Sequence, residues 1–116
     1  MKRVLIVGDD VFKTEALRAL DNINRFELGY AADADGAVID CLGDMPDCIL
    51  LEEVGYVRSL MLRVRALPGG DTAKVIAALR NETAKDELFE LGVDLTVMRP
   101  LHADTLKPQF NQYKLS

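Results

Sequence analysis

The chain has 116 residues, of which 49% are hydrophobic and 28% are charged, and its formal net charge at pH 7 is −5. This length and composition suit one globular domain covering residues 1–116. The negative net charge argues against direct nucleic-acid binding, which requires a basic face. No apolar run approaches the roughly 18 residues of a membrane span. Two cysteines, Cys41 and Cys48, are too few for a disulfide framework and lack the CxxC spacing of a metal site, which favours buried thiols and a cytoplasmic location.

Predicted strands and helices alternate along the chain. Val4 to Val7 is a short apolar run, typical of a strand buried on both faces. Asp9 and Asp10 follow it, where carboxylates can cap a helix. Apolar runs and helical spacing predict further strands over 27–32, 48–51, 75–79 and 95–98, each followed by a helix, around 37–42, 57–67, 81–91 and 101–113. Gly92 is expected to end the fourth helix in a left-handed conformation, and Pro108 to lie in the first turn of the fifth or to kink it.

Five strands alternating with five helices indicate an α/β fold. Right-handed crossovers favour a doubly wound, five-stranded parallel sheet of flavodoxin-like (βα)5 topology. In such folds the functional crevice lies at the carboxyl ends of the strands. The predicted strand ends bring these side chains to one rim: Asp9, Asp10, Glu52, Leu79, Arg80 and Arg99.

Four stretches across nearly the whole chain are similar in order and spacing to the receiver domain of bacterial response regulators. They are VLIVGDD at 4–10, PDCILLE at 46–52, LRVRALPGGDTAKVIA at 62–77 and ELGVDLTVMRPL at 90–101. The resemblance implies a role in two-component phosphorelay signalling. It also implies a pocket in which two acidic residues bind Mg²⁺, an aspartate accepts phosphate, a hydroxyl bonds the phosphoryl group and a lysine neutralises its charge.

The sequence departs from that pattern at nearly every position of the pocket. Gly8 stands at the first acidic position, Glu52 at the phosphoacceptor, Leu79 at the hydroxyl and Arg99 at the lysine. Moving the hydroxyl position back to Ala78 restores no hydroxyl. The resemblance therefore implies a degenerate, pseudo-receiver pocket with no catalytic residues, and we expect no enzymatic activity. Its vestigial phosphorylation pocket comprises Asp9, Asp10, Glu52, Leu79 and Arg99.

Two features of this pocket each allow two interpretations. Glu52 and Arg99 could form an ion pair with two parallel hydrogen bonds, either as a permanent mimic of the phosphorylated state or as a plain structural contact. Asp9 and Asp10 could bind Mg²⁺ weakly, since hard cations take carboxylate oxygens, or could simply cap the first helix. We favour capping and expect no cofactor beyond such a weak metal site.

The resemblance implies a protein-interaction module that acts independently of phosphorylation. The partner would be a kinase, an output domain or a second copy of the chain in a homodimer, and we expect neither nucleic acid nor membrane. The family's usual interaction face would present Glu82, Lys85, Asp86, Glu90, Thr96, Met98 and His102. Two alternatives remain open: a receiver still phosphorylated on Glu52, and a small-ligand sensor that uses the same crevice.

Overall fold

The computed structural model describes residues 1–115, and five parallel strands form a single sheet within them. The strand order is β2-β1-β3-β4-β5, which confirms the predicted doubly wound α/β fold. The strands are β1 (Arg3–Val7), β2 (Glu27–Ala31), β3 (Cys48–Glu52), β4 (Lys74–Leu79) and β5 (Leu95–Met98). The helices are α1 (Asp10–Asp21), α2 (Ala34–Gly43), α3 (Val57–Arg65), α4 (Lys85–Glu90) and α5 (Ala103–Gln112).

The central strands are apolar on both faces because helices cover the sheet on both sides. Alternate strand residues point to opposite faces, so the sheet separates two cores. Leu5, Ile49 and Leu79 belong to the core beneath α2, α3 and α4. Ile6 and Leu50 belong to the core beneath α1 and α5. The continuous apolar runs of β1, β3 and β4 thus follow from burial on both sides.

The ends of α4 and the position of Pro108 in α5 agree only in part with the predictions made from the sequence. Gly92 has φ +98°, the left-handed conformation expected after α4. The side chain of Asn81 does not cap α4 itself; it accepts from the N–H of Thr83 and starts a short 3-10 turn that precedes the helix. Pro108 is not in the first turn of α5 but is its sixth residue, where it removes one N–H donor from the helix interior.

Cys41 and Cys48 are free and buried, as expected for small core residues. Burial raises the pKa of Cys41 to about 11, and it raises that of Cys48 as well, so both are neutral thiols at physiological pH. Among the helices of residues 1–115, none is both long and apolar enough to span a membrane.

Candidate functional site

Glu52 ends β3 at the carboxyl edge of the sheet and is only 6% exposed. Its Oε2 atom accepts a hydrogen bond from Nη1 of Arg99 at 2.9 Å. Its Oε1 atom accepts from the backbone N–H of Asp9 at 3.3 Å. The predicted contact between Glu52 and Arg99 is therefore confirmed, and both carboxylate oxygens are bonded within the chain.

Arg99 follows β5 directly, and its side chain is 9% exposed. The two parallel bonds predicted toward Glu52 are made to a different carboxylate. Nη2 of Arg99 donates to Oε1 of Glu15 at 3.0 Å, and Nε donates to Oε2 of Glu15 at 3.3 Å. Nη1 donates to Glu52, and the guanidinium carbon of Arg99 lies 5.0 Å from the centre of the Phe12 ring. We refer to Glu15, Glu52 and Arg99 as the Arg99 triad.

Glu15 is the residue of this site that the sequence analysis missed. Besides its two bonds from Arg99, it accepts from the backbone N–H of Leu101 at 2.9 Å, so it links α1 to the β5–α5 connection. Partial burial alone would raise the pKa of Glu15, but the bonds from Arg99 and Leu101 outweigh it and hold the pKa below its ordinary value. A signal was present in the sequence: Glu15 lies three residues after Phe12 and four before Ala19, so a charge falls beside the buried stripe of α1.

Asp9 acts as the N-cap of α1, as the capping interpretation predicted. Its Oδ1 atom accepts from the N–H of Phe12 at 2.8 Å. Asp10 is the first residue of the helix and is exposed. No group of three or more His, Cys, Asp or Glu side chains placed to hold a metal occurs among residues 1–115. Of the two residues predicted for a weak Mg²⁺ site, Asp9 is thus engaged as a helix cap and Asp10 lies in the exposed first turn of α1.

Gly8 occupies a position with no room for a side chain. A Cβ atom placed there would lie 2.6 Å from a ring carbon of Phe12 and 3.1 Å from the Cβ of Glu52. Both distances are below ordinary van der Waals contact, and the neighbour at 2.6 Å is the rigid ring that packs under Arg99. The space in which an acidic side chain at position 8 would begin is thus filled by Phe12.

Leu79 does not line the pocket, contrary to the sequence prediction. The register of the sheet pairs Glu52 with Ala78, whose side chain lies on the α1 and α5 face. Leu79 alternates to the opposite face and is buried in the core with α2 and α3. Neither residue supplies a hydroxyl to the carboxyl end of β4.

Tyr56 supplies a hydroxyl near the rim that the sequence analysis did not consider. It precedes α3, and its hydroxyl donates to the carbonyl of Val7 at 3.1 Å. Burial, together with the negative charges of Glu52 and Asp9, raises the pKa of Tyr56 above its ordinary value. It is thus a neutral side chain whose proton is already donated to the main chain.

The predicted interaction face is accessible. Six of its seven residues are exposed and Thr96 is half-buried. Thr96 and Met98 alternate with Val97, which packs toward α1 and α5, so both point to the side of the sheet that α4 covers. Met98 on the edge strand β5 is 43% exposed, and Phe89 on α4, which the prediction left out, is 41% exposed.

A groove of about 750 Å³ lies between α1 and the β5–α5 connection. It is not the crevice at the strand ends, in which Glu52 and Arg99 occupy the rim, but it borders on that crevice through Glu15. Glu15 therefore lines this groove and also binds Arg99.

Comparison with solved structures identifies the fold. No protein-family model matches the sequence, and no curated protein sequence matches it. One similar structure is the receiver domain of a sensor histidine kinase from Pseudomonas aeruginosa, which has a magnesium ion coordinated in its active-site cleft. Its sequence is 21% identical to this chain and the TM-score is 0.85. The match covers 99% of this chain and 98% of that one.

Two further structures agree. A chemotaxis response regulator from Vibrio cholerae is 18% identical, with a TM-score of 0.82 and coverage of 97% and 98% of the two chains. The signal receiver domain of a DNA-binding response regulator from Colwellia psychrerythraea is 19% identical, with a TM-score of 0.81 and full coverage of both. The chain has the fold of a response-regulator receiver domain.

Proposed function

We propose that the chain is a protein-interaction module of a two-component signalling system and that it acts without being phosphorylated. The observation that carries the proposal is the state of Glu52, the residue at the phosphoacceptor position. Both of its oxygens accept hydrogen bonds from within the chain, one from Arg99 and one from Asp9. A carboxylate held in this way is poorly placed to attack phosphorus.

The remaining chemistry of the rim supports the same proposal. Phosphoryl transfer depends on positioned cations and donors that face the transferred oxygens. Each of the three nitrogens of Arg99 already donates to Glu15 or Glu52, so the side chain is held toward these carboxylates and away from an incoming phosphate. Ala78, the register partner of Glu52, offers no hydroxyl.

Incubation with acetyl phosphate and Mg²⁺, followed by intact-mass measurement, tests the absence of phosphorylation. We expect the mass of the protein to stay unchanged, while an active receiver domain treated in parallel gains one phosphoryl group. The Glu52→Gln variant serves as the matched control. A phosphoryl adduct on the wild type that is lost in Glu52→Gln would contradict the proposal and favour a receiver phosphorylated on glutamate.

The partner is proposed to bind the face formed by α4, β5 and the start of α5. Apolar and charged groups alternate there, with Phe89 and Met98 exposed among Glu82, Lys85 and Glu90. Exposed large apolar side chains with a charged surround are typical of protein-binding surfaces.

A pairwise interaction assay against the sensor kinases and output domains of the source organism tests this face, with sedimentation of the purified chain as the test for a homodimer. We expect Met98→Glu and Phe89→Ser each to weaken the interaction at least tenfold. Leu42→Ser on α2, where the side chain is 65% exposed, is the control and should bind normally. Equal binding by all three variants would place the interface elsewhere.

A further inference from the structure

We infer that Arg99 takes the place of a divalent cation at the carboxyl edge of the sheet, so that the rim has a built-in positive charge and does not bind Mg²⁺. The inference concerns the chemistry of the rim alone. It would stand even if the domain proved to bind no partner at the face described above.

The first reason for this inference is the arrangement of charges in the Arg99 triad, in which one cation lies between two carboxylates. Glu15 and Glu52 approach the same guanidinium from different elements, α1 and β3, with N–O distances between 2.9 and 3.3 Å. The guanidinium lies between them, as a bound metal would, and it is itself nearly buried. Two carboxylates at this depth need a cation nearby, and Arg99 supplies it through a covalent link to β5.

The supply of oxygen ligands gives a second, independent reason. Magnesium prefers near-octahedral coordination by oxygen atoms, usually from one or two carboxylates together with water. Here the oxygens of Glu52 face Arg99 and the main chain, while Asp9 binds the N–H of Phe12. Asp10 is exposed at the first turn of α1. The acidic side chains at the rim therefore do not converge on one point.

The packing of Phe12 gives a third reason. Its ring lies beneath the guanidinium of Arg99 and would overlap a side chain at Gly8. An aromatic face attracts a guanidinium but provides no ligand for a hydrated metal ion. The ring thus favours an organic cation at the position and excludes the carboxylate that would help hold a metal.

The first test compares thermal unfolding of the wild type in millimolar MgCl₂ and in NaCl of matched ionic strength. We expect the same midpoint in both salts. We also expect Mn²⁺ to leave the NMR signals of the Asp9 and Glu53 amides unbroadened. A saturable, Mg²⁺-specific rise in the midpoint that Asp9→Ala abolishes would overturn the inference, as would selective broadening of these amides.

The second test removes the internal cation and adds a free one. Arg99→Ala should lower the unfolding midpoint by several degrees, and low millimolar guanidinium should recover part of the loss when compared with NaCl of equal ionic strength. Arg58→Ala is the matched control, because Arg58 meets Glu87 at the exposed surface at 3.7 Å; its midpoint should change little and should not respond to guanidinium. An Arg99→Ala protein as stable as the wild type would show that no cation is needed there. If Arg99→Ala does not fold, the two readouts on the wild type decide the inference by themselves.

Discussion

At the scale of single residues, Arg99 has a more central role than either of its carboxylate partners. If Glu52 alone were neutralised, Arg99 would still be paired with Glu15, to which it donates two of its three side-chain hydrogen bonds. Loss of Arg99, in contrast, leaves two carboxylates partly or fully buried without a counter-ion. The energetic effects of removing the members of the triad should therefore be unequal.

We expect Arg99→Met to lower the free energy of unfolding by about 3–5 kcal/mol, the usual effect of leaving a buried charge unpaired. Glu52→Gln should lower it by about 1–3 kcal/mol, since one charge-assisted bond is weakened while Arg99 stays paired. Denaturant unfolding of the two single variants and the double variant measures the coupling between them. Effects that simply add would show that the contact between Glu52 and Arg99 contributes no interaction energy.

The sequence predicted part of this cluster, and the part that it did not predict has a clear cause. Glu52 and Arg99 each end a strand, and adjacent strand ends meet at one edge of a parallel sheet, so their contact follows from topology. Glu15 comes from the middle of a helix, and its role depends on how closely α1 packs against the β5–α5 connection. That packing is a tertiary property which helical spacing does not specify.

At the scale of elements, the junction between β1 and α1 determines which side chains can occupy the rim beside Arg99. Asp9 caps the helix through the N–H of Phe12, and this cap fixes the first turn of α1, from which the Phe12 ring extends under Arg99. Gly8 leaves the space that the ring needs. Three residues within one short segment, the glycine, the capping aspartate and the aromatic residue, thus act together.

The Gly8→Asp variant, which places an acid at the family's first acidic position, should be destabilised by about 1–3 kcal/mol because its Cβ would overlap the Phe12 ring. We also expect it to bind Mg²⁺ no better than the wild type. Urea unfolding and the magnesium comparison described above measure the two effects. Gly43→Ala at the end of α2 is the control, since no atom lies within 4 Å of its added Cβ, and it should unfold within about 0.5 kcal/mol of the wild type. A Gly8→Asp protein of full stability would mean that the ring moves aside easily.

The secondary structure itself was predictable wherever an element is an apolar run or has a strong terminator. β5 spans 95–98 as predicted, and β4 begins one residue earlier than predicted. The errors at Asn81 and Pro108 have a different origin. Asn81 starts the 3-10 turn that precedes α4, and α5 continues through Pro108 because Leu106 and Phe110 on either side of it are fully buried. Burial of this kind outweighs a local preference and is not visible in a short window of sequence.

At the scale of the whole molecule, the Arg99 triad connects elements that the chain order separates. It joins α1 to β3 and to the β5–α5 connection across one edge of the sheet. Its ionisation state should therefore influence global stability and not only the local geometry of the rim.

The pKa of Glu15 lies below its ordinary value of 4.5, because hydrogen bonds from Arg99 and Leu101 outweigh the opposing effect of burial. A carboxyl group with a lowered pKa in the folded state stabilises the fold above its unfolded pKa, and this contribution is lost as the pH falls through the folded pKa. The free energy of unfolding should thus decrease as the pH is lowered below about 4.5. Denaturant unfolding between about pH 6 and pH 3 should show a smaller decrease for Glu15→Gln than for the wild type. Parallel curves for the two proteins would be inconsistent with a lowered pKa at this residue.

The Phe12 ring beneath Arg99 also limits which single substitutions the rim can accept without loss of stability. An acid at position 8 conflicts with the ring, and an alanine at position 12 would take away the surface on which the guanidinium rests. Replacing Arg99 first would leave two carboxylates facing each other. Single substitutions at positions 8, 12 and 99 should therefore each lower stability, and changing the chemistry of this rim should require coordinated substitutions at several of them.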